Sequence, residues 1–383
     1  MKTALYDQSP EDLSKLIEGW NERPFRARQI YRQLYVNHVA SVNEMTDLPK
    51  ALREHMVNET LMGPLRLERV VLGDGGLTRK AVFRLPNGSA VEAVLMIYPE
   101  RATVCVSSQA GCAMGCTFCA TGKNGLLGNL SPGAMNQQVL WAAAEIPRAS
   151  QTFDPALASR LRMDADAFPR RLTNVVYMGM GEPFNNYDNW WGSVQRLHDP
   201  DGFNMGARSF TVSTVGIIPG IKRLAAEPLP VNLAISLHYA SDVKRSVTMP
   251  INRKYGVGPL IEAAREYTHL TRRRVSFEYI LLEDENDSPE AASALADLLS
   301  DGGRHMLCHI NLIPWNPVRD AAFSRSSRNR VNAFKVVLEQ RGIPVSIRIQ
   351  RGVDIDAACG QLAGGFEQTG KETGKEETGK GSC

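Results

Sequence analysis

Along the first sixty residues the apolar positions recur at helical spacing. Ser9-Pro10-Glu11-Asp12 is a helix start, with Ser9 as the cap, Pro10 at the first position and two carboxylates in the first turn. Leu13, Leu16 and Ile17 follow at i, i+3 and i+4. Further helices are predicted over Ala27–Val36 and Pro49–Met56. From 66 to 100 the pattern switches to strands over Leu67–Leu72, Lys80–Leu85 and Ala90–Ile97, parted by Gly-rich and Pro-Asn-Gly turns. From about 102 strands and helices alternate. The strands are Thr103–Ser107, Asn174–Met178, Ser209–Thr214, Val231–Leu237, Val275–Leu282, Met306–Ile313 and Val345–Ile349. The helices are Gly133–Ile146, Tyr187–Leu197, Ile218–Ala226, Val257–Leu270, Pro289–Ser300 and Arg328–Arg341. Such repetition argues a parallel α/β architecture. Six units and a last strand suit a partial (β/α) barrel; a doubly wound sheet competes, because periodicity does not separate the two. Residues 147–172, with five basic and three acidic side chains, read as an inserted surface loop. The Thr-Gly-Lys-Glu repeats from Glu367 read as disordered.

Composition bounds the reading. At about 150 residues per domain, 383 residues suggest two domains. The pattern divides them into a helical segment 1–65, a short β extension 66–101, an α/β core 102–365 and a tail 366–383. No run of about 18 apolar residues suggests a membrane span, and the N-terminus has no apolar signal region. A cytoplasmic protein is therefore expected. The net charge of +3, from 44 basic and 41 acidic side chains, does not advertise a nucleic-acid binder. Residues 319–351 differ, with eight cations against Asp320 and Glu339, a local balance of +6. Arg272-Arg273-Arg274 adds a second run, and Arg23, Arg26, Arg28 and Arg32 gather near the first helix junction. The plainer reading of each is a solvated charged face.

The chain has seven cysteines, an odd number that argues against a disulfide framework. Cys112, Cys116 and Cys119 form C-x3-C-x2-C, and the interleaved glycines permit the tight turns that would wrap three thiolates around a metal centre. Thiolates select zinc or iron–sulfur clusters. Structural zinc wants four closed ligands, and no second C-x2-C or finger-like His pair appears. Three cysteines fit a [4Fe–4S] cluster with one open iron; a zinc knuckle with a distant fourth ligand is the alternative. This loop follows the first core strand, and Gly179-Met180-Gly181-Glu182-Pro183 follows the second. Both fall at carboxyl ends of strands, where α/β folds bind ligands. Cys308, inside a strand, reads as a small buried hydrophobe, and Cys383 lies in the tail.

The loop, with Phe118 before Cys119, resembles that of the radical S-adenosylmethionine (SAM) superfamily. The flanking Val104–Cys112, Met178–Pro183 and Arg351–Leu362 narrow the resemblance to the RlmN-type dual-specificity RNA adenine-C2 methyltransferases, from about residue 20 to about 365. The resemblance implies a partial (β/α)6 radical-SAM barrel and an RNA-contacting N-terminal helical domain. It implies a [4Fe–4S] cluster on Cys112, Cys116 and Cys119, and SAM contacts at Gly181, Glu182, Ser213, Ser236, Leu237, His238 and Asn316. Cys359 would be the methyl carrier and Cys105 its resolving partner, with Glu92 as proton acceptor; the plainer reading of Glu92 is a solvent-facing strand carboxylate. Two SAM molecules would serve each turnover, one to methylate Cys359 and one to generate a 5′-deoxyadenosyl radical. Adenine C2 is electron-poor, so simple displacement from SAM does not suffice. The implied substrates are an adenosine in the peptidyl-transferase region of 23S rRNA and the adenosine next to the tRNA anticodon. A flavodoxin-type electron donor and a monomeric enzyme complete the expectation. Competing readings are the Cfr-type adenine-C8 methyltransferases, a radical-SAM enzyme on another substrate, and a non-catalytic iron–sulfur carrier or zinc-stabilised RNA-binding module.

Overall fold

The computed structural model describes residues 2–156, 163, 168–301, 304–318 and 321–363. The tail from Glu367 and the middle of the 147–172 segment lie outside them. Near the N-terminus, Ser9 and Asp12 form a reciprocal capping box that starts the helix Pro10–Gly19. Two more helices, Phe25–Tyr35 and Lys50–Glu59, pack with it around Leu13, Ile17, Ile30, Leu34, Leu52 and Met56. Leu140 of the first core helix enters the same cluster, and Arg196 donates to the carbonyls of Tyr6 and Asp7. The helical unit is thus docked on the core.

Ten strands form one sheet, in the order Val345–Ile347, Cys308–Pro314, Val275–Leu281, Asn232–Ser236, Phe210–Thr214, Asn174–Tyr177, Arg101–Cys105, Ala90–Tyr98, Thr78–Arg84, Arg66–Gly73. The first seven run parallel and the last three antiparallel. A helix covers the return from each of the first six core strands. The sheet curls, because Arg101, Asn174, Thr211, Asn311 and Ser346, on five strands across the core, line one cavity. This is the partial barrel of six β/α units and a last strand. The extension is not a separate layer: Ala90–Tyr98 pairs along Arg101–Cys105 and covers what would be an open barrel edge.

Two details differ from the pattern. The helix expected to end at Ile146 runs from Pro132 to Thr152 with Pro147 inside it. Ile146 and Ala149 are buried on either side of the proline, and Glu145 pairs with buried Arg79 at 2.9 Å, so packing outweighs the proline's lost hydrogen bond. A short helix, Asp242–Thr248, also stands between the fourth core strand and its covering helix, where no apolar period announced one.

Candidate active site

The carboxyl ends of the core strands meet two adjoining cavities. The smaller, about 150 Å3, is lined by Gly181, Glu182, Ser213, Ser236, His238 and Glu278 among others. The larger, about 530 Å3, holds Cys105, Asn316 and Cys359, with Asn174, Thr211, Asn311 and Ser346 also in its wall. Cys119, Met178, Gly179, Ile313, Arg348, Cys359 and Gly360 line both and form the partition.

Around the smaller cavity the backbone is shaped by close approach. Gly181 has φ +100°, and a Cβ there would strike Gln109. Glu182 is buried; its two carboxylate oxygens accept from Phe184 N at 3.0 Å and Val215 N at 2.8 Å. Burial pushes its carboxyl up to about 7 against those hydrogen bonds. Ser213 and Ser236 face each other at 3.3 Å. His238 Nδ1 accepts from Ile280 N at 3.0 Å, so the neutral ring carries its proton on Nε2. Burial, then the charge of Arg245, pushes its pKa down to about 3. Leu237 is different: its side chain lies wholly in the core and does not reach the cavity. Glu278 Oε2 in this cavity and Asn316 Oδ1 at the larger one are buried acceptors without a hydrogen-bond donor.

The cysteine loop leaves the first core strand through the pairing of Gln109–Gly111 with Leu126–Asn129. Cys112 N donates to Gly125 O at 2.7 Å and Thr117 N to Thr248 O at 3.0 Å. Cys116 is buried; Cys112 and Cys119 are half-buried. Burial raises the Cys116 thiol, and the neighbouring Cys119 and Cys112 raise it further. Arg245 lies wholly buried nearby, bonded to the carbonyls of Leu237, Val215 and Ser236 and to Asn252 Oδ1. No carboxylate among the described residues forms an ion pair with it, and burial lowers its pKa to about 10.

Cys105 ends the first core strand and Cys359 sits on the segment after the last. Both thiols are free and both line the larger cavity. Burial pushes Cys105 up to about 12, and the facing Cys359 adds to the rise. The Cys359 thiol is raised by burial and lowered by the charge of Arg348, which lines the partition beside it. Its segment is pinned on three sides: Asn316 donates to Cys359 O at 3.1 Å, Ala120 N to Gly360 O at 2.8 Å, and Gln361 to Pro317 O at 3.0 Å.

Comparison with known proteins decides the family. Residues 3–61 match the ribosomal RNA large subunit methyltransferase N-terminal domain, and residues 106–296 match the radical SAM superfamily. A probable dual-specificity RNA methyltransferase RlmN of Roseiflexus sp. (strain RS-1) is 55% identical over 94% of this chain and 96% of its own. Its counterpart in Chloroflexus aurantiacus is 54% identical over 94% and 92%. The chain belongs to the RlmN family. It is a SAM-dependent RNA methyltransferase of the radical SAM class. A solved radical SAM methyltransferase from Sphaerobacter thermophilus shares the fold, with a TM-score of 0.86 and 46% identity over 94% of this chain and 99% of that one.

Radical SAM chemistry uses SAM and a [4Fe–4S] cluster, and the residues fit both. No group of three His, Cys, Asp or Glu side chains among the described residues could hold a single metal ion. A cluster instead spreads its thiolates over separate irons, as suits the three loop cysteines. Arg245 is the buried cation an anionic cluster would balance. The buried Asn316 Oδ1, which has no donor, could accept from a ligand's amino or hydroxyl group.

Glu92 does not open on either cavity. It is buried beside Lys80 Nζ at 3.6 Å, and its other oxygen accepts from Ala363 N at 3.0 Å. The solvent-facing alternative is therefore excluded, yet residue 363 caps the carboxylate. Cys308 is buried in its strand, as expected. The basic stretch 319–351 changes character. Arg330 pairs with Asp284 and Asp287, Arg341 with Asp297, Lys335 with Glu339, Arg348 with Glu278 and Arg351 with Asp74. Most of these carboxylates come from outside the stretch, so a count along the chain overstated its free charge. Arg325 and Arg328 stay exposed; Arg319 lies outside the described residues. Arg245, Glu278 and Asn311 belong to no motif in the sequence, and Arg348 stands there only as one cation of the basic stretch.

Proposed function

We propose that this RlmN-family chain methylates carbon 2 of adenosine, with Cys359 as the methyl carrier. The observation that carries the reading is that Cys105 and Cys359, from the first and last parts of the barrel, face one cavity. That cavity adjoins the polar one beside the cysteine loop. When bound there, SAM supplies methyl groups and, with the cluster on Cys112, Cys116 and Cys119, the radical that activates a methyl group. Two SAM molecules per turnover match the two tasks. Gly181, Glu182, Ser213, Ser236, His238 and Asn316 orient it, with Leu237 contributing only main chain.

Cys359 lies on the partition, so its sulfur can take a methyl group from one side and present the carbon to a base on the other. Once that carbon is bonded to C2, the Cys105 thiolate attacks the Cys359 sulfur: the S–S bond forms, the sulfur–carbon bond breaks and the freed carbon takes up a proton, leaving a transient disulfide and the methylated base. Glu92 accepts the C2 proton once the segment ending at Ala363 moves aside. The base must be unpaired or flipped to enter, because C2 is hard to reach in a duplex. At the cavity wall, Tyr98 lies between the guanidiniums of Arg101 and Arg351, at 4.4 and 4.9 Å, a surface suited to nucleotide. The peptidyl-transferase adenosine of 23S rRNA and the adenosine beside the tRNA anticodon are the proposed targets. A flavodoxin-type donor, a cytoplasmic setting and a monomer complete the proposal. Anaerobic reconstitution with SAM, reductant and protein-free rRNA tests it. The reading requires 2-methyladenosine together with 5′-deoxyadenosine; 8-methyladenosine would instead assign the C8 chemistry.

A further inference from the structure

We propose that Arg348 is a positioning residue for Cys359, braced by Glu278 and Asn311 so that its guanidinium holds the sulfur on the partition between the two cavities. The inference rests on the reading of Cys359 as methyl carrier.

Arg348 directly follows the last core strand, its backbone N–H bonded to Leu312 O at 2.8 Å. Its Nε lies 3.5 Å from Glu278 Oε2, and a terminal nitrogen contacts Met178 Sδ at 3.5 Å. Arg348 and Cys359 both line the partition between the two cavities, and the charge of Arg348 favours the thiolate there. Glu278 is itself fixed, since its Oε1 accepts from Asn311 Nδ2 at 2.8 Å. Asn311 Oδ1 accepts from Ser346 Oγ at 2.9 Å, and Ser346 meets His309 Nε2 at 2.9 Å. The brace therefore crosses three neighbouring strands before it reaches Arg348. An amide stands in its middle, so it acts as a strut and not as a proton wire. Every link is a polar side chain on the inner face of strands that are otherwise apolar.

The chemistry needs such a brace. Cys359 must offer one sulfur lone pair toward the smaller cavity and later present its methyl group to the larger. A fixed guanidinium N–H sets that direction and favours negative charge on the sulfur. Glu278 balances the cation when the sulfur is neutral, as a thioether or disulfide.

Iodoacetamide alkylation of the full apo chain, mapped by peptide mass spectrometry, tests this. The Cys359 sulfur–carbon bond forms, iodide leaves and the thiol proton passes to solvent. Arg348→Met slows alkylation at Cys359 by about three- to tenfold, because the loss of thiolate outweighs its gain in nucleophilicity. Arg348→Lys keeps the charge and stays within about twofold of the parent. Cys308, buried in its strand, remains protected and reports an intact fold. If the Met variant exposes Cys308, Arg348→Gln is judged by the same three- to tenfold loss (an order-of-magnitude expectation). A parent-like rate in the neutral variant, or a Lys variant as slow as the neutral one, overturns the proposal. The carrier reading fails separately: RNA methylation by a Cys359→Ala chain would remove it and leave the alkylation result standing.

Discussion

The two groups of thiols in this barrel each lie near an arginine, one buried and one half-buried, and the two arginines are balanced differently. Beneath the loop of Cys112, Cys116 and Cys119, Arg245 is met by three carbonyls and an amide oxygen. Beside Cys359, Arg348 has its own carboxylate, Glu278. The difference follows the chemistry assigned to each thiol. Cluster ligands stay anionic, so their cation can do without another partner. The Cys359 sulfur alternates between charged and neutral states, so its cation needs a permanent counter-charge.

The largest effects separate the two groups outright. Cys112→Ala should abolish the cluster's absorbance and with it all RNA methylation. Cys359→Ala should keep the absorbance yet give no methylated RNA. Retained absorbance in the first variant, or methylated RNA from the second, breaks the assignment of that group. Next in size, Arg245→Met strands four buried acceptors and should cost the apo chain about 3–5 kcal/mol in urea unfolding. A loss below about 1 kcal/mol would mean that Arg245 is not structurally engaged as described. Glu278→Gln should cost less, about 1–2 kcal/mol, and more once Cys359 is alkylated and Arg348 has no anion beside it. An equal loss in free and alkylated chains would contradict the balancing role.

The smallest effect is a pH dependence with two opposing parts. Glu182, raised to about 7, contributes stability that is full below its unfolded value of 4.5 and lost as pH rises through 7. His238, lowered to about 3, contributes stability that is full above 6.5 and lost as pH falls toward 3. Between pH 4.5 and 6.5 the two slopes oppose each other. Their contribution to apo stability should therefore be nearly flat there, and Glu182→Gln should unmask a rise of roughly 1 kcal/mol per pH unit. Midpoints of urea unfolding across that window measure it; a slope unchanged by the substitution would mean that the Glu182 carboxyl is not raised.

Much of this was legible beforehand because it is local. The C-x3-C-x2-C spacing, the turn at Gly179–Pro183 and the strand–helix alternation each occupy a few neighbouring residues. The six units and last strand appear within a few residues of where the pattern put them. What escaped is non-local. Arg348 acquires meaning only when the sheet curls and carries it to Glu278, two strands away in the sheet order. The balance of +6 misled for the same reason, since Asp284, Asp287 and Asp297 fold onto those cations from another part of the chain. One signal was present and unread. In Val275–Leu281 the polar residues Ser276 and Glu278 alternate with apolar ones, as His309 and Asn311 do in Cys308–Pro314. Period-two polar positions in strands otherwise fit for a core mark a polar barrel interior.

The pairing of Cys105 with Cys359 is tested most directly by turnover of a Cys105→Ala chain with SAM, reductant and RNA, followed by denaturation and peptide mapping. Without its resolving thiol the carrier cannot release the base, so RNA should remain covalently attached through Cys359. Only free RNA after denaturation, or an adduct at any other residue, would contradict the account.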